Sequence, residues 1–453
     1  MELSQRFAQF ICKIDYNSLG SEVLKQAKER LIDTIGALLA GYAGWPYRDA
    51  LIAACRELGD GDMRAAGTGQ ERFPVARAAM LNATFAHAVE LDDGHRNAGV
   101  HAGAVVVPAA LAVGAALGKS GKETLAAIVA GYEIAYRLAV VQSPSLIQKG
   151  FHPSATCGSF GAMAAAGKLM NLSQEQLANG LGFVGNLASG LMEATVSGQQ
   201  SKCILVGHAA LNGITAAYYA RSNMEGTQTI FEGKNGIFST MSEGATPDKA
   251  CDGLGERYLI GDTYNKFYPT CRHSQPAIEA VLDLMAEHDF GGNEVNKVKV
   301  GTHKLAHELT GLIVAPKDSG GAKFSAPYCV AVALKEGGVA VRHLSEAFYT
   351  NRELLELSER VEVSIDEKIN SLYPEKRGAG VEIHLRDGRV LYRECFDLKG
   401  SPANPVGVEE LIQKFRVNAK GLLSDAAAEE LLSRMENFED ERDIGGFIGL
   451  LNW

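Results

Sequence analysis

"AGAVVVPAALAVGAALG", residues 102–118, carries no charged side chain over seventeen positions. It is either a membrane span or the centre of a packed core, and the fold class turns on which. A spanning helix needs about 20 apolar residues. This run is shorter, rich in Ala and Gly, and contains Pro108. It reads as a buried core helix of a protein that does not enter a membrane. Its small side chains point to helices packed closely together.

The neighbouring segments carry the same texture. "SEVLKQAKERLIDTIGALLAGY" (21–42) has apolar residues at helical spacing, with Ser21 expected at the N-cap and Glu22 in the first turn. "KETLAAIVAGYEIAYRLAVV" (122–141) and "GSFGAMAAAGKLMNL" (158–172) repeat it. "NLSQEQLANGLG" (171–182) starts another helix, with Ser173 and Gln176 spaced as a capping box. Beyond residue 265 the pattern changes. "VNKVKVGTHK" (295–304) and "RVEVSIDE" (360–367) alternate, and "GVEIHLRDGRVLYRECFD" (380–397) reads as a hairpin around Asp387-Gly388. Helical stretches separate these runs. "KGSPANPVG" (399–407) is a linker, and the chain after it is helical again. The expected fold is therefore mainly α. A large all-α helical domain (1–265 plus 405–453) carries an inserted, smaller α+β domain (266–404). A ligand is expected in the cleft between them.

The net charge of −10, from 44 basic and 54 acidic residues, argues against a nucleic-acid partner. Eight cysteines stand at least twenty residues apart, with no zinc or iron–sulfur spacing, and read as reduced thiols of a cytoplasmic protein. The first twenty residues hold Glu2 and Asp15 and no long apolar core, which reads against a signal peptide.

Four polar constellations stand out. "HAVELDDGHRNAGVH" (87–101) gathers Glu90, Asp92 and Asp93 with His87, His95 and His101. Asp92-Asp93-Gly94 is ordinary turn chemistry, but His101 sits at the mouth of the apolar helix. Asp92, His95 and His101 lack an established metal spacing, so no metal is expected. "KGFHPSATCGSFGA" (149–162) places His152 before a Gly- and Ser-rich helix start, where backbone amides favour an anion. In "SGQQSKCILVGHAA" (197–210), Lys202 is the only formal charge between Glu193 and Arg221, which suggests a lysine that meets an anion. "YNKFYPTCRHSQPAIEA" (264–280) brings Lys266, Arg272 and His273 together at the domain junction, as for a carboxylate or phosphate.

No Walker A, no dinucleotide fingerprint after a strand and no GxSxG elbow accompanies them. The implied chemistry is cofactor-free proton transfer on a small anionic molecule. A proton beside a carboxylate is weakly acidic, so nearby cations must stabilise the carbanion. A histidine or lysine near neutral pKa can take the proton. His101, His152, Lys266 and Asp93 are the candidate proton-transfer groups. Glu90, Lys202, Arg272 and His273 are the candidate substrate-binding groups.

"LIDTIGALLAG" (31–41), the run from His87 through "HAGAVVVPAALAVG", "LAAIVAGYEIAYRL" (125–138), "GFHPSATCGSFGAMAAAGKLMNLSQEQLANGLG" (150–182) and "YPTCRHSQPAIEA" (268–280) resemble, in order, the MmgE/PrpD superfamily. That resemblance implies a large all-α domain, a smaller α+β lid domain, a homodimer, and no metal or organic cofactor. It implies a site lined by Glu90, His101, His152, Lys202, Lys266 and Tyr328. Tyr328, in "FSAPYCVAVAL" (324–334), is supplied by the resemblance alone. The chain departs from the family's pattern at Glu90, where aspartate is usual, and at Gly94, where threonine is common. The expected activity is a dehydratase-type lyase acting on a di- or tricarboxylate such as 2-methylcitrate. Epimerisation of an iminodisuccinate-like dicarboxylate, cis-aconitate-type decarboxylation and non-catalytic carboxylate binding are the alternatives.

Overall fold

The computed structural model describes residues 1–196 and 200–452. The first three residues of the Lys202 stretch, 197–199, lie outside the described residues. The molecule is mainly α-helical, and its buried apolar residues form two cores.

The first core is built from the helices Ser21–Gly44, Val75–His87, Ala102–Ala116, Gly121–Gln142, Pro153–Leu169, Gln174–Leu187 and Lys202–Arg221. Ala102–Ala116 runs through Pro108 and is buried from Ala102 to Gly114. Gly121–Gln142 is the one described helix long and apolar enough to cross a membrane, yet 89% of its apolar window is buried inside the protein. The abundance of small residues has a direct geometric cause. A Cβ added at Gly213 would sit 2.6 Å from the Ser159 carbonyl oxygen, and one at Gly207 would sit 2.1 Å from Thr84 Oγ1. Helix Lys202–Arg221 can therefore press onto Pro153–Leu169 and Val75–His87 only with glycine at these contacts.

Helix starts follow local chemistry. Ser173 accepts from Gln176 N while the Gln176 side chain returns to the Ser173 amide, the expected capping box. Ser120 and Glu123 form a second one. Ser21 departs from expectation. It is the first helical residue, Gly20 takes the N-cap position, and no side chain caps that end.

Beyond residue 265 the chain builds a four-stranded sheet from β3 (Val295–Thr302), β4 (Val361–Ile365), β5 (Ala379–Leu385) and β6 (Val390–Cys395). Their spatial order is β4-β3-β5-β6. β3 runs parallel to β4 and antiparallel to β5, and β5 and β6 form the hairpin around Asp387-Gly388. Gly388 has φ +93°, a conformation that favours glycine. Val298, Val300, Val381 and Ile383 join residues of helices Gln275–His288 and Ala326–Glu336 in the second core. Ala40, Val89 and Leu91 of the helical region belong to that core too. The final helices Val408–Ala419 and Asp425–Glu436 return to the first core through Leu411, Phe415, Leu431 and Met435. Two short strands, β1 (Gly94–His95) and β2 (Thr263–Tyr264), pair Gly94 with Tyr264 and bring the loop after His87 alongside the segment leading to Lys266.

Candidate active site

Helix Val75–His87 ends at a tight turn, and Glu90 in that turn has φ +56°. A left-handed backbone on a non-glycine residue costs about 1–2 kcal/mol and persists where the surroundings over-determine it. Here the surroundings are two lysines. Lys202, at the start of its helix, pairs with Glu90 Oε1, and Lys266 Nζ lies 3.0 Å from Glu90 Oε2. Burial opposes the Glu90 carboxylate, but Lys202 and Lys266 overcome it and hold its pKa well below the ordinary range. Burial also opposes the Lys266 ammonium. Glu90 and Asp92 outweigh that opposition and raise its pKa. A third lysine, Lys323, donates to the Ala88 carbonyl at 2.7 Å and so ties the sheet-bearing part of the chain to the same turn.

Three imidazoles stand beside these charges. The rings of His87 and His101 are 4.9 Å apart, and those of His87 and His152 are 6.2 Å apart. His87 Nδ1 donates to Asp92 Oδ2 at 2.7 Å. His101 Nδ1 lies 2.6 Å from the Asp93 carbonyl, which can only accept, so Nδ1 carries the proton and Nε2 is the basic atom. Ser154 Oγ accepts from the His101 amide at 2.9 Å, which ties His101 to the helix that His152 precedes. Burial, reinforced by neighbouring lysines, pushes all three histidines well below their ordinary pKa. They are neutral bases at pH 7.

The structure thus brings together Glu90, His101, His152, Lys202 and Lys266. It places the other candidates elsewhere. The Asp93 carboxyl turns away from the imidazoles. It accepts from Gly103 N at 3.0 Å and Tyr132 Oη at 2.6 Å, and burial, partly offset by Arg30, raises its pKa to about 7. Only its backbone carbonyl reaches the site, by holding His101. Tyr328 is wholly buried in the second core, where its hydroxyl donates to the His343 carbonyl at 2.6 Å. Its helix directs it into packing, so the hydroxyl does not join the cluster. Arg272 and His273 line a separate cavity of about 310 Å³, together with His95.

Reading from sequence left His87, Asp92 and Lys323 out of the site. His87 had a usable signal, a histidine on the buried face of an apolar helix three residues before Glu90. Asp92 is masked by its turn sequence, and Lys323 reaches the site only through tertiary packing. His87, Asp92 and His101 present ligand atoms within 4.8 Å of one another, so this trio, without His95, could hold a metal ion. Lys266 Nζ lies 4.0 Å from Asp92 Oδ1 and supplies positive charge where an ion would sit, which disfavours a second cation.

Fold and site define a mainly α-helical protein with a polar centre of imidazoles, lysines and carboxylates set among apolar helices. The MmgE/PrpD N-terminal domain model matches residues 5–250 and the MmgE/PrpD C-terminal domain model residues 268–440, and the chain belongs to the MmgE/PrpD family. It is similar to the cis-aconitate decarboxylase of Aspergillus terreus, 26% identical over 460 residues, covering 96% of this chain and 93% of that protein. It is also similar to the human cis-aconitate decarboxylase, 24% identical over 467 residues, covering 99% and 94%. A cis-aconitate decarboxylase-like protein of Aspergillus oryzae is 25% identical over 479 residues.

Proposed function

We propose that this protein is a dehydratase-type lyase that removes a proton beside a carboxylate of a small di- or tricarboxylate such as 2-methylcitrate. The observation that carries the reading is the fixed tautomer of His101. With Nδ1 held by the Asp93 carbonyl, Nε2 keeps its lone pair inside a cluster that also holds two lysines. Burial lowers the His101 pKa, so the imidazole rests neutral and Nε2 is free to accept a proton. That suits abstraction of a proton better than delivery of one. Lys202 and Lys266 would stabilise the negative charge that develops on the substrate, and one of them would protonate the departing hydroxide. A scaffold role would leave such groups scattered over the surface, whereas Glu90, His152 and Lys266 are buried and His101 and Lys202 nearly so, in one place.

In this reading the sheet-bearing segment, 266–404, acts as a lid, and both Lys266, through Glu90, and Lys323, through the Ala88 carbonyl, join it to the catalytic turn. The family resemblance carries with it a cytoplasmic homodimer working without a cofactor. Sedimentation and metal analysis of the purified protein check the dimer and the metal content.

The names of the relatives favour a second reading, decarboxylation of a cis-aconitate-like substrate. Incubation with a panel of polycarboxylates in deuterated water, followed by NMR, separates the possibilities. Loss of water to give an alkene is the expected result. Release of carbon dioxide transfers the assignment to decarboxylation, and deuterium exchange with neither loss transfers it to epimerisation. No exchange or turnover with any member of the panel would sink the proposal.

A further inference from the structure

The cavity lined by Arg272 and His273 carries more positive than negative charge, and three of its arginines form no ion pair with a carboxylate among the described residues. Its wall holds four arginines against two aspartates. Arg257 is paired with Asp262 at 2.9 Å. The other three donate to neutral oxygens. Arg96 bonds the carbonyls of Pro374 and Glu375. Arg272 bonds the Asn265 carbonyl and the Gln275 amide oxygen, at 3.2 and 2.7 Å, and stacks over Tyr264. Arg377 bonds the Arg96 carbonyl at 2.8 Å. The Nε atoms of Arg96 and Arg377 are buried without a hydrogen-bond partner among the described residues, and so is Nε2 of His95, a residue only 5% exposed whose Nε2 stands 4.0 Å from Asp262 Oδ2.

Three guanidinium groups around one cavity repel one another. Burial, then the charge of Arg377, lowers the Arg96 pKa, with Asp397 and Glu375 opposing, and burial lowers that of Arg272. Buried, unpaired donors are costly unless something satisfies them. Guanidinium forks match the two oxygens of a carboxylate or phosphate. A volume of about 310 Å³ accommodates a small metabolite, near the lower end of ordinary ligand sites. His273 and His303, whose rings are 5.2 Å apart, also line this space and can donate further hydrogen bonds.

We propose that this cavity is a binding site for a small, multiply charged oxyanion bearing carboxylate or phosphate groups, with Arg96, Arg272 and Arg377 as its receptors. The site is distinct from the Glu90 cluster, where both paired lysines are already engaged by Glu90. It stands whatever reaction the imidazoles perform.

Calorimetric titration of the full chain with citrate, and separately with inorganic phosphate, tests it. Binding of at least one probe is expected, weakened about tenfold or more in Arg96→Met and Arg377→Met and weakened less in Arg377→Lys. Should a variant fail to fold, the wild-type chain gives the answer by itself. Bound citrate or phosphate should shield Arg96, Arg272 and Arg377 from phenylglyoxal, as mapped by mass spectrometry. Competition against a turned-over polycarboxylate assigns the source of the anion. Competitive citrate with raised KM in the arginine variants makes the cavity the seat of the substrate's own far carboxylate. Binding that leaves KM untouched makes it the seat of a separate anion. No heat from either probe, unchanged affinity in the methionine variants, or equal modification with and without anion overturns the proposal.

Discussion

Lys266 Nζ, wholly buried, stands 3.0 Å from the Glu90 carboxylate, although the two residues are 176 positions apart in the chain. Glu90 is also held by Lys202 and sits on a left-handed backbone. Neither charge could be buried alone. Their pairing lets a polar centre exist between two apolar cores.

Lys266→Met leaves Glu90 buried with a single lysine, and a broken buried pair costs about 3–5 kcal/mol. The urea midpoint should fall accordingly. Adding Glu90→Gln should recover part of the loss, since the stranded charge is then gone. Strictly additive effects in this double-mutant cycle would show that the pair carries no coupling.

His101→Gln should lower kcat by roughly 10²–10⁴-fold while KM and the melting temperature change little. A rate within a few-fold of wild type would remove His101 from the chemistry. The same substitution at Asp93 cannot test the base, because what holds His101 is the Asp93 backbone carbonyl.

Tyr328→Phe should leave turnover intact. It removes the donor to the buried His343 carbonyl, so a stability loss of about 1–3 kcal/mol is expected. A large fall in kcat without a stability loss would return Tyr328 to the reaction.

Stability should fall as pH drops below 6.5. His87, His101 and His152 have folded pKa values well under 6.5, and burial holds those of His95 and His303 at about 4. Between 6.5 and those folded values the unfolded chain binds more protons, so acid favours unfolding there. Asp93 and Glu133, each raised to about 7 chiefly by burial, act in the opposite sense. Their contribution is full below the unfolded pKa and is lost as pH rises through about 7. His208, His273 and His343 are lowered by burial as well, and Glu29 and Glu279 are raised by it, so eight histidines against four acids leave a net loss toward acid. Thermal melts at several pH values check this, and a melting temperature flat from pH 6.5 to about 4.5 would refute it.

The sequence by itself determined the helices, the hairpin and the presence of a polar centre. Apolar periodicity, capping residues and Asp387-Gly388 are local signals, and local backbone energetics express them directly. Glu90, His101, His152, Lys202 and Lys266 were legible because charge and imidazole are conspicuous in apolar surroundings. Tertiary structure alone decided which of these groups meet and which way each points. The left-handed turn at Glu90 aims its carboxylate at two lysines from distant helix and loop starts, and turns the Asp93 carboxyl to Tyr132. It also brought in His87, Asp92 and Lys323, gave Tyr328 to the second core, and set Arg272 and His273 around a different cavity. Side-chain direction and long-range pairing depend on how whole helices pack, and no short stretch of sequence encodes that packing.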